Sequence, residues 1–433
     1  MIRWPMSLRA KLFLTVFLGA AAVAVPIPAY SSGTDEPVRR TIKWPRGTIR
    51  VALSSSLRAP GPNIKFGSDV AAALDRSLAK WRAAADIAFE IVDTSKASVS
   101  PAGATGDGIN LITIASTGEN LLLFERGRND SPAATRIFYD RSGRITEADV
   151  VLSPLQQFSA DGAFGTYDLE AVLTHEIGHL LGFDHSPIFG SAMYEHQARN
   201  GVFGVHIPPS HSLSAADESA ARAAYGAPAD DLECCGVIEG RLSAEGQKNA
   251  VGGTVWLEST SSGNVEGAVP VDRYGRFSLG GLRNGEYNVI WSADGEEGPA
   301  VSQTVGTIDA EAGDIRELSA LVRDTGTGID LQYLGVNGHL VRMPITLSAG
   351  RTYTVYAGGH GVDRPDVNIG FGSQDLAVLE SSRLVHDYGK NISVVSVAVT
   401  VAPDAASGTY SVWAEDANGI RTYLPGSVIV TRQ

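Results

Sequence analysis

The tightest constraint on this 433-residue chain lies between residues 175 and 185. His175 and His179 stand four residues apart, so on a helix their imidazoles leave the same face one turn from each other. Leu169, Val172, Leu173, Ile177, Leu180 and Leu181 recur with helical period through the same stretch. They predict a helix with a buried side, opened by Thr166 or Asp168 as its N-cap. Gly182 ends it, because a residue without Cβ adopts the left-handed conformation that turns the chain sharply and returns His185 to the same point. Three neutral nitrogens there form a ligand set for one zinc ion at about 2.0–2.1 Å each, with a fourth position left for water. Glu176, next to the first ligand but not a ligand, is placed to take a proton from that water and pass it to a leaving amine. The residues therefore predict peptide-bond hydrolysis, with His175, His179 and His185 as metal ligands and Glu176 as the catalytic acid and base.

The length exceeds what one hydrophobic core serves, so two or three domains are expected. With 43% hydrophobic, 19% charged and 7% aromatic residues, the chain has the composition of folded globular protein. A net charge of -13, without a Lys/Arg cluster, argues against nucleic acid as a partner. Arg3, Arg9 and Lys11 precede an apolar run from Leu12 to Val25 and then small residues and prolines. That is the layout of a signal peptide over residues 1–30, with Ala24 or Ala29 before the cut. The run is shorter than the roughly 20 apolar residues of a membrane span, so no stable span is expected after cleavage, and the mature chain is expected to be secreted and extracellular.

Thr48 to Leu53, Ile87 to Val92 and Ile109 to Ala115 read as strands, and Arg136 to Tyr139 with Ile145 to Leu152 as a hairpin around Asp140-Arg141-Ser142-Gly143. Ser68 is expected to cap a helix whose apolar positions are Val70, Leu74, Leu78 and Trp81. From Cys234 onward helix signals vanish, and short β-rich runs alternate with turn residues through Gln433. The Gly-rich Asp324 to Gly328 is the expected joint between two β-sandwiches. The two cysteines, Cys234 and Cys235, are adjacent; a vicinal disulfide, a bond to another chain and free thiols all remain open.

The segment His175-Glu176-Ile177-Gly178-His179-Leu180-Leu181-Gly182-Phe183-Asp184-His185-Ser186 resembles the metzincin zinc signature, and the serine after the third histidine resembles its matrixin branch. Ser191-Ala192-Met193-Tyr194 resembles the Met-turn beneath the zinc ligands. Leu213 to Asp217 through Tyr225-Gly226 resembles the last matrixin helix, where Ser214 and Asp217 can form a capping box and Gly226 can close the end. Tyr194 directly follows the methionine and is not assigned to the metal. The resemblance, from Trp44 to Gly226, implies an α+β catalytic domain with a twisted mixed sheet and a zinc-binding active-site helix, here placed at 36–232. It also implies a cleft whose upper rim is an edge strand, with Arg136 to Tyr139 the candidate, and a loop from Ser186 to about Phe203 walling the pocket after the scissile bond.

Departures from that family are equally informative. No histidine precedes His175, so the second, structural zinc of vertebrate matrixins is not expected, and no cysteine precedes Cys234 to hold the zinc latent. Calcium (Ca2+) is a further candidate ion, but Asp107, Asp130, Asp140 and Asp161 lack a ligand spacing and read as solvated turn residues. His196, His206 and His211 read as surface histidines.

Val255-Trp256-Leu257, Asp272 to Leu279 and Gly281 to Tyr287 resemble carboxypeptidase regulatory-like, transthyretin-like sandwiches, placed at 236–322. Phe277, Leu279, Leu282, Tyr287, Val289 and Trp291 supply their inward faces. Ala402-Pro403-Asp404 through Trp413 resembles the closing strands of an immunoglobulin-like sandwich, placed at 326–433. Such modules bind cell-surface or wall polymers or protein, or act as spacers. The expectation is a multidomain secreted zinc endopeptidase acting on proteins or peptides. Its competitor is a surface-binding or adhesive protein whose zinc domain is inactive or only self-processing.

Overall fold

The computed structural model describes residues 41–58, 61–125, 131–201, 212–231, 234–244, 251–293, 301–323, 328–389 and 392–432. The expected signal peptide, Asp130, Phe203, His206, His211 and residues 324–327 of the expected joint lie outside them. Among the described residues no helix is long and apolar enough to cross a membrane.

The first sheet is built from β1 (Thr48–Ser54), β2 (Ala88–Thr94), β3 (Asn110–Thr113), β4 (Ala133–Tyr139) and β5 (Ile145–Leu152). Their order is β2-β1-β3-β5-β4, all parallel except β4, which pairs antiparallel with β5 and stands at the edge. Helix α1 (Val70–Ala84) buries Leu74, Leu78 and Trp81 completely, on the stripe that its apolar spacing predicts. Its N-cap is Asp69 rather than Ser68: the Asp69 carboxylate accepts the Ala72 N–H at 3.0 Å, while Ser68 Oγ accepts the N–H of Ala160 at 3.0 Å. The helix begins one residue later than expected, so the adjacent aspartate occupies the position from which a side-chain oxygen reaches N3.

A short helix α2 (Gly118–Leu121), the two-residue strands β6 (Phe158–Ser159) and β7 (Tyr167–Asp168), then helix α3 (Leu169–Leu180) follow. Asp168, not Thr166, caps α3 by accepting the Ala171 N–H at 2.9 Å. Arg76 and Lys80 of α1 both pair with the largely buried Glu170 in the first turn of α3. Trp81 donates its indole N–H to the Thr174 carbonyl at 3.0 Å. Helix α3 is thereby fixed against α1 along its length. Helix α4 (Ala215–Tyr225) carries the full capping box of Ser214 and Asp217 and ends at Gly226, whose φ is +92°.

All described regular structure beyond α4 is β. One sandwich faces β8 (Cys234–Ala244), β11 (Arg276–Arg283) and β14 (Ile315–Val322) with β9 (Thr254–Ser259), β10 (Val265–Pro270), β12 (Gly285–Ser292) and β13 (Ser302–Ala310). Phe277, Leu279, Leu282, Tyr287, Val289 and Trp291 all lie in the core between them. The other faces β15 (Asp330–Val336), β17 (Thr352–His360), β19 (Leu376–Asp387) and β20 (Ser393–Val401) with β16 (Ile345–Ser348), β18 (Asn368–Phe371), β21 (Gly408–Glu415) and β22 (Arg421–Thr431). The two are not beads on a string. Ser302 of β13 pairs with Arg421 of β22, so one sheet, β10-β9-β12-β13-β22-β21-β18, runs through both sandwiches. Cys234 and Cys235 form a vicinal disulfide across a cis peptide bond, one of the three states left open by the sequence.

Candidate metal centre

Helix α3 presents His175 and His179 on one face. Gly182, at φ +94°, reverses the chain so that His185 joins them; a Cβ there would stand 2.2 Å from the Ile42 carbonyl oxygen. One ligand atom from each of the three histidines lies within 4.8 Å of the others. His179 Nε2 and His185 Nε2 are 3.2 Å apart, against about 3.3 Å for two nitrogens on a tetrahedral zinc at 2.0–2.1 Å. His175 Nδ1 donates to the Ala192 carbonyl at 2.8 Å and His179 Nδ1 to the Phe183 carbonyl at 2.8 Å. A carbonyl only accepts, so in both rings Nδ1 carries the proton and Nε2 offers its lone pair. Burial, then repulsion from His179 and His185, keeps the His175 imidazole well below its usual pKa and therefore neutral, as a ligand must be. The donor set fits zinc.

Glu176 is buried, and its Oε2 accepts a 2.5 Å hydrogen bond from Thr135 Oγ1. Thr135 lies on β4, so the edge strand of the sheet orients the carboxylate next to His175 on α3. Nothing in the sequence singles out Thr135, because the contact depends on how α3 packs across β4. Arg136, the next residue, pairs with Glu119 at 2.6 Å and donates to the Ser100 carbonyl at 2.5 Å.

The floor beneath the histidines is the turn from Ser191 to Tyr194, closed by the Tyr194 N–H to the Ser191 carbonyl at 3.1 Å. Met193 is buried against α3, where a Cβ on Gly178 would stand 2.1 Å from its sulfur and 2.9 Å from Trp81 Cζ2. The only residue that fits at 178 without moving this contact is glycine. Asp217 holds the turn from the other side, accepting from Ser191 Oγ, from the Ala192 N–H at 2.8 Å and from both the N–H and the hydroxyl of Ser214. Its burial pushes the carboxyl pKa up, and these four donors pull it down.

Tyr194 donates to the Arg342 carbonyl at 3.3 Å, and burial pushes its phenol up to about 12. His196 is exposed beside Glu195. Of the aspartates weighed for calcium, Asp107 pairs with Lys96, Asp161 pairs with Lys65 at 2.6 Å, and Asp140 accepts from Ser142 and Arg144 within its own turn.

Three convergent imidazoles, two of them on a helix beside a buried glutamate and floored by a methionine turn, make a donor set suited to one metal ion. Comparison narrows the class: the family model for Matrixin matches residues 60–226, and this stretch of the chain is a matrixin domain followed by a large all-β region. The Metalloendoproteinase 1-MMP of Arabidopsis thaliana is 30% identical over 156 residues, which is 35% of this chain and 38% of that protein. The chain thus spans well under half the length of that relative. Among solved structures, the chain is similar to BcpA, the major pilin subunit of Bacillus cereus, at 13% identity and a TM-score of 0.17, covering 46% of this chain and 70% of that one. It is also similar to SGBP-B from a Bacteroides ovatus mixed-linkage glucan utilization locus, at 15% identity and a TM-score of 0.17, covering 44% and 42%. Likenesses this shallow carry no argument.

Proposed function

We propose that this chain is a secreted zinc-dependent endopeptidase that hydrolyses peptide bonds of extracellular proteins. The observation that carries the reading is the convergence of His175, His179 and His185, with the first two rings locked by backbone carbonyls into the metal-binding tautomer. Export is supported by the basic and then apolar pattern of residues 3–25.

His175, His179 and His185 would hold zinc, which would supply a Lewis acid and acidify water at neutral pH. Glu176 takes the proton of the attacking water on its carboxylate and delivers it to the departing nitrogen as the C–N bond breaks. Thr135 fixes Oε2, so the carboxylate does not have to be ordered during the reaction. β4, at the edge of its sheet and next to Glu176, offers backbone groups along which an extended substrate adds as a further strand. Binding energy from that pairing would hold the scissile bond against the metal face. The β-sandwiches are read as binding cell-surface or wall polymers or protein.

The test is hydrolysis of casein or gelatin by the purified full chain, beside Glu176→Ala and a chelator-treated sample. Cleavage lost in both controls supports the reading. A folded, zinc-loaded wild type that cleaves nothing, while it adheres to cells or wall material, overturns it in favour of a binding protein.

A further inference from the structure

Helix α4 lies between the matrixin domain and the first sandwich, and its two faces have different partners. Asp217, Ala221 and Tyr225 recur every four residues on the inner face. Ala221 is fully buried in the core with α1 and α3, the Tyr225 hydroxyl donates to the Leu181 carbonyl at the end of α3 at 2.5 Å, and Asp217 accepts the Ala192 N–H. On the outer face Ala216 packs with Trp256, Val265 and Ile290 of the first sandwich. Ser219 Oγ donates to the Gly280 carbonyl at 2.8 Å, and the buried Arg222 donates through Nε to the Gly281 carbonyl at 2.8 Å. The receiving surface is a β-bulge. Gly280 and Gly281 of β11 stand together opposite Val237 of β8, because Leu279 pairs with Ile238 and Leu282 with Gly236. Gly281 has a φ of +69°, and a Cβ there would stand 2.1 Å from the Ser219 carbonyl oxygen and 2.8 Å from the Ala223 nitrogen. Strand backbone therefore meets helix backbone with no space for a side chain between them.

We infer that the first sandwich is a positioning element of the metal centre: its Gly280-Gly281 bulge seats α4, and α4 holds the His175 ring through Asp217 and Ala192. The inference rests on the zinc-binding part of the reading above. His175 Nδ1 donates to the Ala192 carbonyl and Asp217 accepts the N–H of the same residue, each at 2.8 Å, so the orientation of the ring follows the helix. The bulge meets α4 at Ser219 and Ala223, within two turns of Asp217. Metal ligation holds its distances to about 0.2 Å, and a close-packed helix transmits a displacement of that size along its axis instead of absorbing it. Ser219, Arg222 and Gly281 are positioning residues; they act through α4 and touch no reacting atom.

The test is the zinc affinity of the full chain, measured by competition with a chelator, in two variants matched for strain. Gly281→Ala pushes a Cβ into α4. Gly275→Ala makes an equivalent clash inside the same sandwich, against β8 instead of α4: its φ is +77°, and its Cβ would stand 2.1 Å from the Leu242 carbonyl oxygen. Gly281→Ala is expected to bind zinc about tenfold more weakly, and Gly275→Ala to stay within about twofold of wild type. Exchange of the Ala192 amide is expected to quicken by about tenfold in the first variant and not in the second. Once Asp217→Ala has cut the connection, adding Gly281→Ala is expected to weaken zinc binding by less than about twofold more. Ser219→Ala combined with Arg222→Met removes both hydrogen bonds to the bulge without a clash; it is expected to weaken zinc binding by about threefold, and it decides the matter if Gly281→Ala does not fold. A chain that binds zinc with this pattern but cleaves no protein sinks the hydrolase reading and leaves this one standing. Equal losses in Gly275→Ala and Gly281→Ala, wild-type affinity in the variants that alter the α4 contact, or a wild type that binds no zinc overturns it.

Discussion

Asp217 and His175 grip the same residue from opposite ends. Asp217 Oδ2 accepts the N–H of Ala192, and His175 Nδ1 donates to its carbonyl, each at 2.8 Å. The N-terminal turn of α4 therefore sets the angle of the first of the three histidines through the backbone of a single residue. Asp217→Ala leaves the buried donors of Ser191, Ala192 and Ser214 without their acceptor, and an unsatisfied buried group costs about 1–3 kcal/mol. Urea unfolding is expected to show a loss of about 3 kcal/mol or more, and a competition titration a zinc affinity weaker by about 10–100-fold. Wild-type zinc affinity in a destabilised Asp217→Ala would show that the turn does not position His175.

Thr135 and Glu176 separate carboxylate orientation from metal binding. Thr135→Val keeps the shape of the side chain and removes the hydroxyl that donates to Glu176 Oε2. A hydrogen bond to a charged group is worth about 1.5–3 kcal/mol, so kcat is expected to fall by about tenfold or more, with KM and zinc content unchanged. Glu176→Gln is expected to lose about 10²–10⁴-fold while still binding zinc. A Thr135→Val enzyme with wild-type kcat would mean that the carboxylate is oriented by other contacts.

The parts of the site that were legible in the sequence are those written within one element. Helix α3 carries its own apolar period, its cap and two of the three histidines, and Gly182 marks its end, so spacing alone places His185 near them. Capping is legible only to within a residue: Ser68 and Asp69 are both capping types side by side, and which of them serves depends on where the helix packs. Thr135 was invisible, since its role follows from an α3–β4 crossing that no local pattern encodes. Ile188 and Phe189 read as loop residues because their partners, Tyr423 and Pro425, lie more than two hundred residues away. For the same reason the β13–β22 pairing that joins the sandwiches had no sequence signal, as long-range strand register is set by packing.

Gly182 should tolerate no side chain. Its φ of +94° strains any L-residue, and an added Cβ would collide with the backbone of Ile42 rather than with a movable side chain. Gly182→Ala is expected to destabilise the chain by about 2 kcal/mol or more and to weaken zinc binding, because the turn delivers His185. Calorimetry with and without zinc reads both effects. Unaltered stability and zinc affinity would mean that the turn can relax without moving the third ligand.

Asp149 gives the chain a pH dependence of unusual sign. It is fully buried on β5, and burial pushes its carboxyl up to about 7, with Glu147 adding repulsion, against the pull of the Ser100 and Leu111 N–H groups and of Lys96. In the unfolded chain an aspartate titrates near about 3.9. Between about pH 4 and pH 7 the folded chain therefore holds a proton that the unfolded chain has released, and stability falls as pH rises through that window. The contribution is complete below about pH 4 and gone above about pH 7. Asp149→Asn cannot ionise, so the stability of wild type relative to this variant is expected to be greatest near about pH 4.5 and to shrink steadily by about pH 7.5. Taking the difference at each pH cancels the titration of groups that do not interact with Asp149, leaving that of Asp149 together with its neighbour Glu147. A difference in Tm that stays constant across the window would place the Asp149 pKa near that of an ordinary carboxylate.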